Sequence, residues 1–280
     1  MESAQHSIFL RTFITVVFII ISFLALFPFF AMLLASFKPS TELLRFGLNL
    51  KLQPELLTLD NYNYIFNEGK KYFLWYRNSV VITVLFTVIS LFFSSMVGYA
   101  LAVYEFKGRN LMMILVLFVM MIPVEIMMLP LYKLMILLKL LNTYWGVVLP
   151  FAVTPVAIFF FRQYAIGLPK ELLDAARIDG CSEIGIYFRI MAPLMTPAFG
   201  AMAILQAMHS WNNFLWPLVV LRTEDMFTLP IGLAGLLTPY GNNYDLLISG
   251  SVLTVLPILI LFIFFQRHFI AGLTVGGVKG

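Results

Sequence analysis

Leu168 to Pro197 reads LPKELLDAARIDGCSEIGIYFRIMAPLMTP, a long segment that mixes charge with helical periodicity between two apolar runs. Pro169 suits the first position of a helix, because its missing N–H would be unbonded there, and Gly180 is placed to end that helix. Ser182 is positioned to cap a second short helix, with Glu183 in its first turn. The stretch therefore predicts a helix, a glycine turn and a second helix.

The first of these helices is predicted to carry one small and mostly apolar face. Its positions follow the i, i+3, i+4, i+7 spacing of a helical stripe and are Leu172, Ala175, Ala176 and Asp179. Small side chains permit the close approach of another surface. Two interpretations stay open from the residues alone: an amphipathic loop that lies at the lipid interface, or a docking site for a partner protein.

The loop also resembles a known family motif. The matching pattern is Asp174-Ala175-Ala176-x-x-Asp179-Gly180, followed by Phe188, Ile190, Pro193 and Pro197. It is similar to the EAA loop of binding-protein-dependent ABC importer permeases, although Asp174 stands where that family usually has Glu. The resemblance implies that residues 168–196 form a coupling loop docked on a separate ATPase subunit. It also implies the docking residues Asp174, Ala175, Ala176, Asp179 and Gly180.

The composition is typical of an integral membrane protein, since 61% of the residues are hydrophobic and only 11% are charged. The net charge is +4, but the basic residues stand singly between apolar runs and form no stripe for nucleic acid. A single cysteine, Cys181, excludes an internal disulfide framework.

The apolar runs predict an all-α, polytopic membrane protein whose single domain, 1–280, contains six transmembrane helices. We place the spans at about 12–37, 78–104, 110–132, 140–161, 197–221 and 246–266, with a C-terminal tail over 267–280. Six spans put both termini on one side of the membrane. Charge does not choose that side, because the 18 Lys and Arg residues divide nine against nine. The resemblance implies cytoplasmic termini, since the coupling loop must face ATP.

Polar residues on the fifth predicted span are candidates for a translocation path. Gln206, His209, Ser210 and Asn213 share one helical face within apolar surroundings. Polar groups in hydrocarbon are costly unless they are paired or hydrated. The stripe therefore predicts either hydrogen bonds between helices or the lining of a sugar path. Glu125, between two prolines, is either a further path residue or a carboxylate near the outer interface.

Two further segments resemble carbohydrate permeases. Residues 211–217, WNNFLWP, are similar to the WN-[DN]-F segment of that group, and Ala271 to Gly280 looks like the tail of a MalG-type permease. A glycine-rich end is normally frayed. The resemblance instead implies that the tail contacts the ATPases through Thr274, Gly276, Gly277 and Lys279.

These matches identify the chain as similar to MalG-type carbohydrate ABC importer permeases, with the sugar left open. The resemblance implies a second homologous permease, two ATPase subunits, an extracytoplasmic sugar-binding protein and a place in the lipid of the cytoplasmic membrane. ATP and Mg would be bound by the ATPase, so no cofactor, metal or enzymatic activity is expected on this chain, which has no G-x-x-x-x-G-K-[ST] or H-E-x-x-H motif. The alternatives are a proton-coupled secondary sugar carrier and a membrane-embedded glycosyltransferase.

Overall fold

The computed structural model describes residues 2–39, 41–42, 51, 53–238 and 241–274. Within them the chain is built from helices. They are α1 (Glu2–Ser36), α2 (Asp60–Glu68), α3 (Lys70–Val103), α4 (Arg109–Met120), α5 (Val124–Leu137), α6 (Tyr144–Val148), α7 (Pro155–Ile166), α8 (Glu171–Ile178), α9 (Glu183–Ile186), α10 (Thr196–Trp211), α11 (Leu215–Val220), α12 (Leu229–Ala234) and α13 (Tyr244–Thr274).

Short irregular elements join these helices. Single 3-10 turns cover Pro54–Leu56, Leu149–Phe151 and Glu224–Met226, and α9 continues through a wide π turn, Tyr187–Met191, and a last α-helical turn, Ala192–Leu194. The strand pairing among the described residues is a two-residue antiparallel ladder of β1 (Leu237–Thr238) and β2 (Gly241–Asn242). The all-α prediction is therefore confirmed.

Three stretches of helix are long and apolar enough to cross a membrane: Phe9–Ser36 of α1, all of α3, and Leu246–Arg267 of α13. Three further pairs of helices are sharply bent at a short break. The bends are 101° between α4 and α5, 47° between Tyr144–Phe151 and α7, and 76° between Glu183–Leu194 and α10. Counting each bent pair as one span gives up to six spans in the described chain.

The helix bounds differ from the predicted spans, among other places, in the third, fifth and sixth spans. The third span breaks before Pro123, because a proline disfavours helical geometry in the residue before it, and then continues to Leu137. In the predicted fifth span α10 ends at Trp211, and Asn212 caps it by donating to the carbonyl of Met208 from both its backbone N–H, at 3.1 Å, and its Nδ2, at 2.9 Å. The last helix runs on to Thr274, so that it includes most of the predicted tail.

The chain divides into two compact units. The first comprises residues 1–72 and 233–256. In it, Asn61 donates from Nδ2 to the carbonyls of Ser36 and Lys38, both at 2.8 Å. The hydroxyl of Tyr72 donates to the carbonyl of Gly250 at 2.9 Å. Side-chain amides and hydroxyls thus hold together the ends of helices that are distant in sequence.

The second unit comprises residues 73–232 and 257–280 and contains the candidate sites. Its helices pack closely through small residues. A Cβ on Gly98 of α3 would lie 2.7 Å from the carbonyl oxygen of Ile158 on α7, so only glycine allows this approach. Phe161 of α7 packs with Ala198 and Met202 of α10 in a buried cluster. The core of this unit therefore fixes α3, α7 and α10 relative to one another.

Candidate functional site

A large cavity in the second unit has a volume of about 670 Å³ and lies between α5, the end of α10 and the start of α11. Four polar side chains line it, and they are Glu125, His209, Asn212 and Asn213. Aromatic rings line it as well, from Phe151, Phe214 and Trp216. A concave site with a few polar groups among apolar and aromatic walls is typical of small-molecule binding.

The bends in the helices bring these side chains together. Glu125 lies in the first turn of α5, where its negative charge is favourable, immediately after the 101° bend. His209 lies in the last turn of α10, with its ring centroid 6.2 Å from that of Phe86. Trp216 is held by a hydrogen bond of 3.2 Å from its Nε1 to the carbonyl of Gly146. Residues from α5, α10 and α11 therefore line the same cavity.

Gln206 has a different environment from His209, although the sequence pattern placed them on one face. Its side chain is only 5% exposed, and its Nε2 donates to the hydroxyls of Ser90, at 3.2 Å, and Thr154. Ser94 accepts a hydrogen bond from the backbone N–H of Thr154 at 3.2 Å. Gln206 thus belongs to a buried polar network that joins α10 to α3 and to the break before α7. For this residue the structure has hydrogen bonds between helices, the first of the two predicted alternatives.

Ser210 also lies outside the large cavity. It lines a neighbouring small cavity of about 10 Å³ together with His209 and Asn213. A space of that size holds about one water molecule. Of the five predicted path residues, the large cavity therefore contains Glu125, His209 and Asn213. The path residues predicted from the sequence did not include Asn212, Phe214 and Trp216, although all three lie in the WNNFLWP segment and line the cavity.

The predicted helix, turn and helix of the loop is present in the structure. α8 ends in a left-handed residue, Gly180, whose φ is +76°. The N–H of Cys181 donates to the carbonyl of Ala176 at 3.0 Å, and that of Gly180 donates to the carbonyl of Arg177 at 3.1 Å. This pair of bonds is the Schellman arrangement that satisfies the last carbonyls of a helix. Ser182 caps α9 by accepting from the N–H of Gly185 at 3.2 Å.

The inner face of the loop packs against α3. Leu173 and Ala176 of α8 join Tyr187 and Met191 in a buried cluster around Tyr99 of α3. Ala176 is only 4% exposed. The predicted docking face combined Ala175 with Ala176, but the fold separates them, because Ala176 turns toward its own chain while Ala175 faces outward.

The outer face of the loop is apolar and uncovered in this chain. Ile178 is 86% exposed and Ile184 is 71% exposed, and Leu172 and Ala175 are exposed as well. Asp174, Asp179 and Gly180 are also exposed. Exposed apolar side chains of this kind occur where a protein meets a partner or a lipid surface. We call Leu172, Ala175, Ile178 and Ile184 the outer face.

Charged side chains tie the two short helices of the loop together. Arg177 donates from Nε to Glu183 Oε1 at 2.8 Å, and its Nη1 lies 3.5 Å from Asp174 Oδ1. The hydroxyl of Tyr104, just beyond α3, donates to Glu183 Oε2 at 2.8 Å. The hydrogen bond from Arg177, and next that from Tyr104, lower the pKa of the Glu183 carboxyl below its ordinary value. The carboxylate therefore stays ionised at neutral pH and links α8, α9 and the end of α3.

The predicted tail residues fall largely beyond the described chain. Thr274 is the last residue of α13, whereas Gly276, Gly277 and Lys279 lie outside the described residues. Across the described residues, no group of three or more His, Cys, Asp or Glu side chains could hold a metal ion.

Apolar helices that carry an anchored helix–turn–helix loop and a polar-lined cavity define a membrane transport subunit. The family described as "Binding-protein-dependent transport system inner membrane component" matches residues 90–275, and the chain belongs to this family. It is thus a non-enzymatic membrane permease component of an ABC transporter, whose ATPase is a separate subunit.

Individual relatives extend over the whole chain. It is 63% identical over 279 residues to the arabinooligosaccharides transport system permease protein AraQ of Bacillus subtilis, covering 100% of this chain and 99% of the relative. The protein of the same name from Halalkalibacterium halodurans is 67% identical over 267 residues, covering 95% and 96%. The lactose transport system permease protein LacG of Rhizobium radiobacter is 33% identical over 262 residues, covering 92% of each.

A solved structure shares the fold. A bacterial ABC transporter involved in the import of the acidic polysaccharide alginate has a chain that superposes with a TM-score of 0.78. It covers 93% of this chain and 96% of its own length at 23% sequence identity. At that identity the similarity establishes the architecture of the fold alone.

Proposed function

We propose that this chain is the permease subunit that carries an arabinose-containing oligosaccharide through an ATP-driven importer. The observation that carries the proposal is the identity of 63% and 67%, over nearly the entire chain, to two permeases named for arabinooligosaccharide transport. The lactose permease at 33% identity is considerably more distant. Arabino-oligosaccharides are therefore the substrate class that we favour.

The large cavity supplies the chemistry that such a substrate needs. Sugar hydroxyls both donate and accept hydrogen bonds, and the amides of Asn212 and Asn213 do the same. His209 has one donor and one acceptor nitrogen when neutral, and Glu125 adds an acceptor. The apolar faces of sugar rings can lie on Phe214 or Trp216. These properties support a path that offers hydrated polar contacts beside aromatic surface.

The outer face of the loop is proposed to dock on an ATPase subunit. Its exposed side chains, Ile178 and Ile184 foremost, would be covered there, while Tyr99 and Tyr187 hold the opposite side of the loop on the permease. Displacement of the ATPase would then be transmitted to α3 and, through the 76° bend, to α10. The carboxylates Asp174 and Asp179 at the edge of this face would meet basic groups of the ATPase.

The complete assembly is proposed to contain a second homologous permease, two ATPase subunits that bind ATP and Mg, and an extracytoplasmic binding protein. The loop and both termini would then lie in the cytoplasm. The tail residues Thr274, Gly276, Gly277 and Lys279 are proposed to contact the ATPases. Family membership supports an assembly of this kind.

The test is uptake by right-side-out vesicles that contain the coexpressed complex and are loaded with or without ATP, with labelled arabinotriose as substrate and maltotriose and lactose as competitors. Uptake should require ATP on the side of the loop, should persist when the proton gradient is collapsed, and should be inhibited by unlabelled arabinotriose only. Uptake driven by the proton gradient without ATP would identify a secondary carrier. Equal competition by maltotriose would disprove the arabinose specificity while leaving the importer assignment intact.

A further inference from the structure

A further cavity lies beside the helix–turn–helix loop of residues 168–196. Its volume is about 220 Å³, and it is bounded by the end of α3, the start of α4, the end of α7 and the inner side of α8. Its apolar wall includes Val103, Ile166 and Leu168. The charged side chains that line it are Arg109, Lys170, Asp174 and Arg177.

The charges in this cavity do not balance. Asp174 lies 3.5 Å from Arg177, which also bonds to Glu183, so both of these carboxylates are paired with this one guanidinium. Arg109 and Lys170 have no acidic partner within the part of the chain that the structure describes. The lining thus carries three cations, including Arg177, against the one carboxylate of Asp174, which leaves a net charge of +2 in a partly apolar cavity.

Arg109 is held in place by neutral acceptors. Its Nε donates to the carbonyl of Leu101 at 2.9 Å, and its Nη2 donates to that of Ala102 at 3.3 Å. Arg162 donates from Nε to the same Leu101 carbonyl at 3.3 Å. Both arginines thus cap the C-terminus of α3, where a positive charge is favourable. A guanidinium has five N–H donors, so Arg109 keeps donors for a further acceptor.

We infer that this cavity binds the phosphate of an anionic phospholipid. The phosphate would accept hydrogen bonds from Arg109 and Lys170, and the first part of an acyl chain would lie along Val103, Ile166 and Leu168. Basic pockets between transmembrane helices recognise anionic headgroups in this way. A lipid is favoured over free phosphate because the same cavity is lined by both apolar and cationic side chains.

The site also explains how lipid would affect coupling. Leu173 and Arg177 of α8 form part of the same cavity wall, so an occupied site bridges the coupling loop to the ends of α3 and α7. Binding at that position stabilises the loop in the geometry described above. The headgroup is therefore a ligand of the loop as well as of the membrane-spanning helices.

The test measures the thermal stability of the purified full-length chain in a neutral detergent while dioctanoyl phosphatidylglycerol is added. The controls are dioctanoyl phosphatidylcholine and inorganic phosphate at the same concentrations. We expect the melting temperature to rise with phosphatidylglycerol only. Lys170→Gln and Arg109→Gln should each weaken the apparent affinity about fivefold, which corresponds to about 1 kcal/mol for one basic residue near an anionic headgroup.

Lys107→Gln is the matched control, because Lys107 is exposed on the neighbouring turn and does not line the cavity. It should bind phosphatidylglycerol as the wild type does. Lys170→Gln is decisive if Arg109→Gln fails to fold, since Lys170 makes no side-chain hydrogen bond among the described residues. Equal stabilisation by phosphatidylcholine, or unchanged affinity in Lys170→Gln, would refute the site. An equal rise in melting temperature with inorganic phosphate would show that the cavity binds phosphate alone and not the lipid.

Discussion

Gln206 and His209 show how packing assigns different roles to similar residues. They lie three positions apart on α10, and the sequence therefore predicts that they share one polar face. In the structure Gln206 is buried in a network with Ser90 and Thr154, whereas His209 lines the large cavity. A rotation of about 60° around the helix axis separates them. The polar character of the two residues alone does not reveal which of them packs against another helix.

Cysteine labelling tests this division. With Cys181 replaced by Ser, we expect His209→Cys and Asn213→Cys to react with a small aqueous thiol reagent and to be protected by substrate, because both positions line the cavity. Gln206→Cys should react at least tenfold more slowly, since the side chain is only 5% exposed. Mass spectrometry of the labelled chain gives the rates. Equal rates at positions 206 and 209 would contradict the assignment.

Ala175 and Ala176 provide a second contrast between neighbouring residues. Ala176→Trp should destabilise the permease by about 1–3 kcal/mol, because it overpacks the cluster around Tyr99. Ala175→Trp should leave the melting temperature unchanged and instead weaken ATPase association on the order of 30-fold, equivalent to about 2 kcal/mol at the interface. Pull-down of the ATPase at equal permease levels measures the second effect. Normal pull-down and normal ATP hydrolysis with Ala175→Trp would exclude docking through the outer face.

At the scale of elements, the coupling loop depends on two short helices that are held by their ends. The Schellman bonds at Gly180 and the cap at Ser182 fix the angle of the turn. The pair of Arg177 and Glu183 then spans it at 2.8 Å. Helices of four and eight residues are too short to be stable alone, so these contacts and the cluster on α3 determine the loop's shape.

Gly180→Ala should therefore lower the stability of the loop by about 1 kcal/mol, since an L-residue with a Cβ disfavours the left-handed conformation at φ +76°. No atom lies within 4 Å of the added Cβ, so the effect is conformational rather than steric. The matched control is Gly167→Ala, where φ is −79° and the new Cβ makes ordinary contact at 3.4 Å. Limited proteolysis within residues 177–183 measures local opening. Equal cleavage of the two variants would show that Gly180 is not needed for its backbone angle.

At the scale of the molecule, the last helix connects the membrane region to the predicted ATPase-contacting tail. Removal of residues 275–280 retains every residue of α13 that the structure describes, Tyr244–Thr274. We expect normal insertion and normal melting temperature, with altered coupling of ATP hydrolysis to transport. The measurement is the ratio of sugar transported to ATP hydrolysed in vesicles. An unchanged ratio and an unchanged basal ATPase rate would argue against tail contact.

The sequence determined the class of fold, because apolar runs of spanning length leave few alternatives to membrane helices. It also predicted the helix, glycine turn and helix of residues 168–196, since the signals at Gly180 and Ser182 are local and act over one helical turn. The resemblance of residues 174–197 to the EAA loop agreed with the family that the whole chain belongs to.

The tertiary structure alone decided which side of each helix is buried. In an apolar chain nearly every face of a helix is hydrophobic, so periodicity carries little information about orientation. The separation of Ala175 from Ala176, and of Gln206 from His209, depends on the positions of α3 and α7, which are distant in sequence. The 101° bend beside Pro123 and the end of α10 before Asn212 likewise place Glu125, Asn212 and Trp216 in one cavity, because only the packed helices bring those segments together.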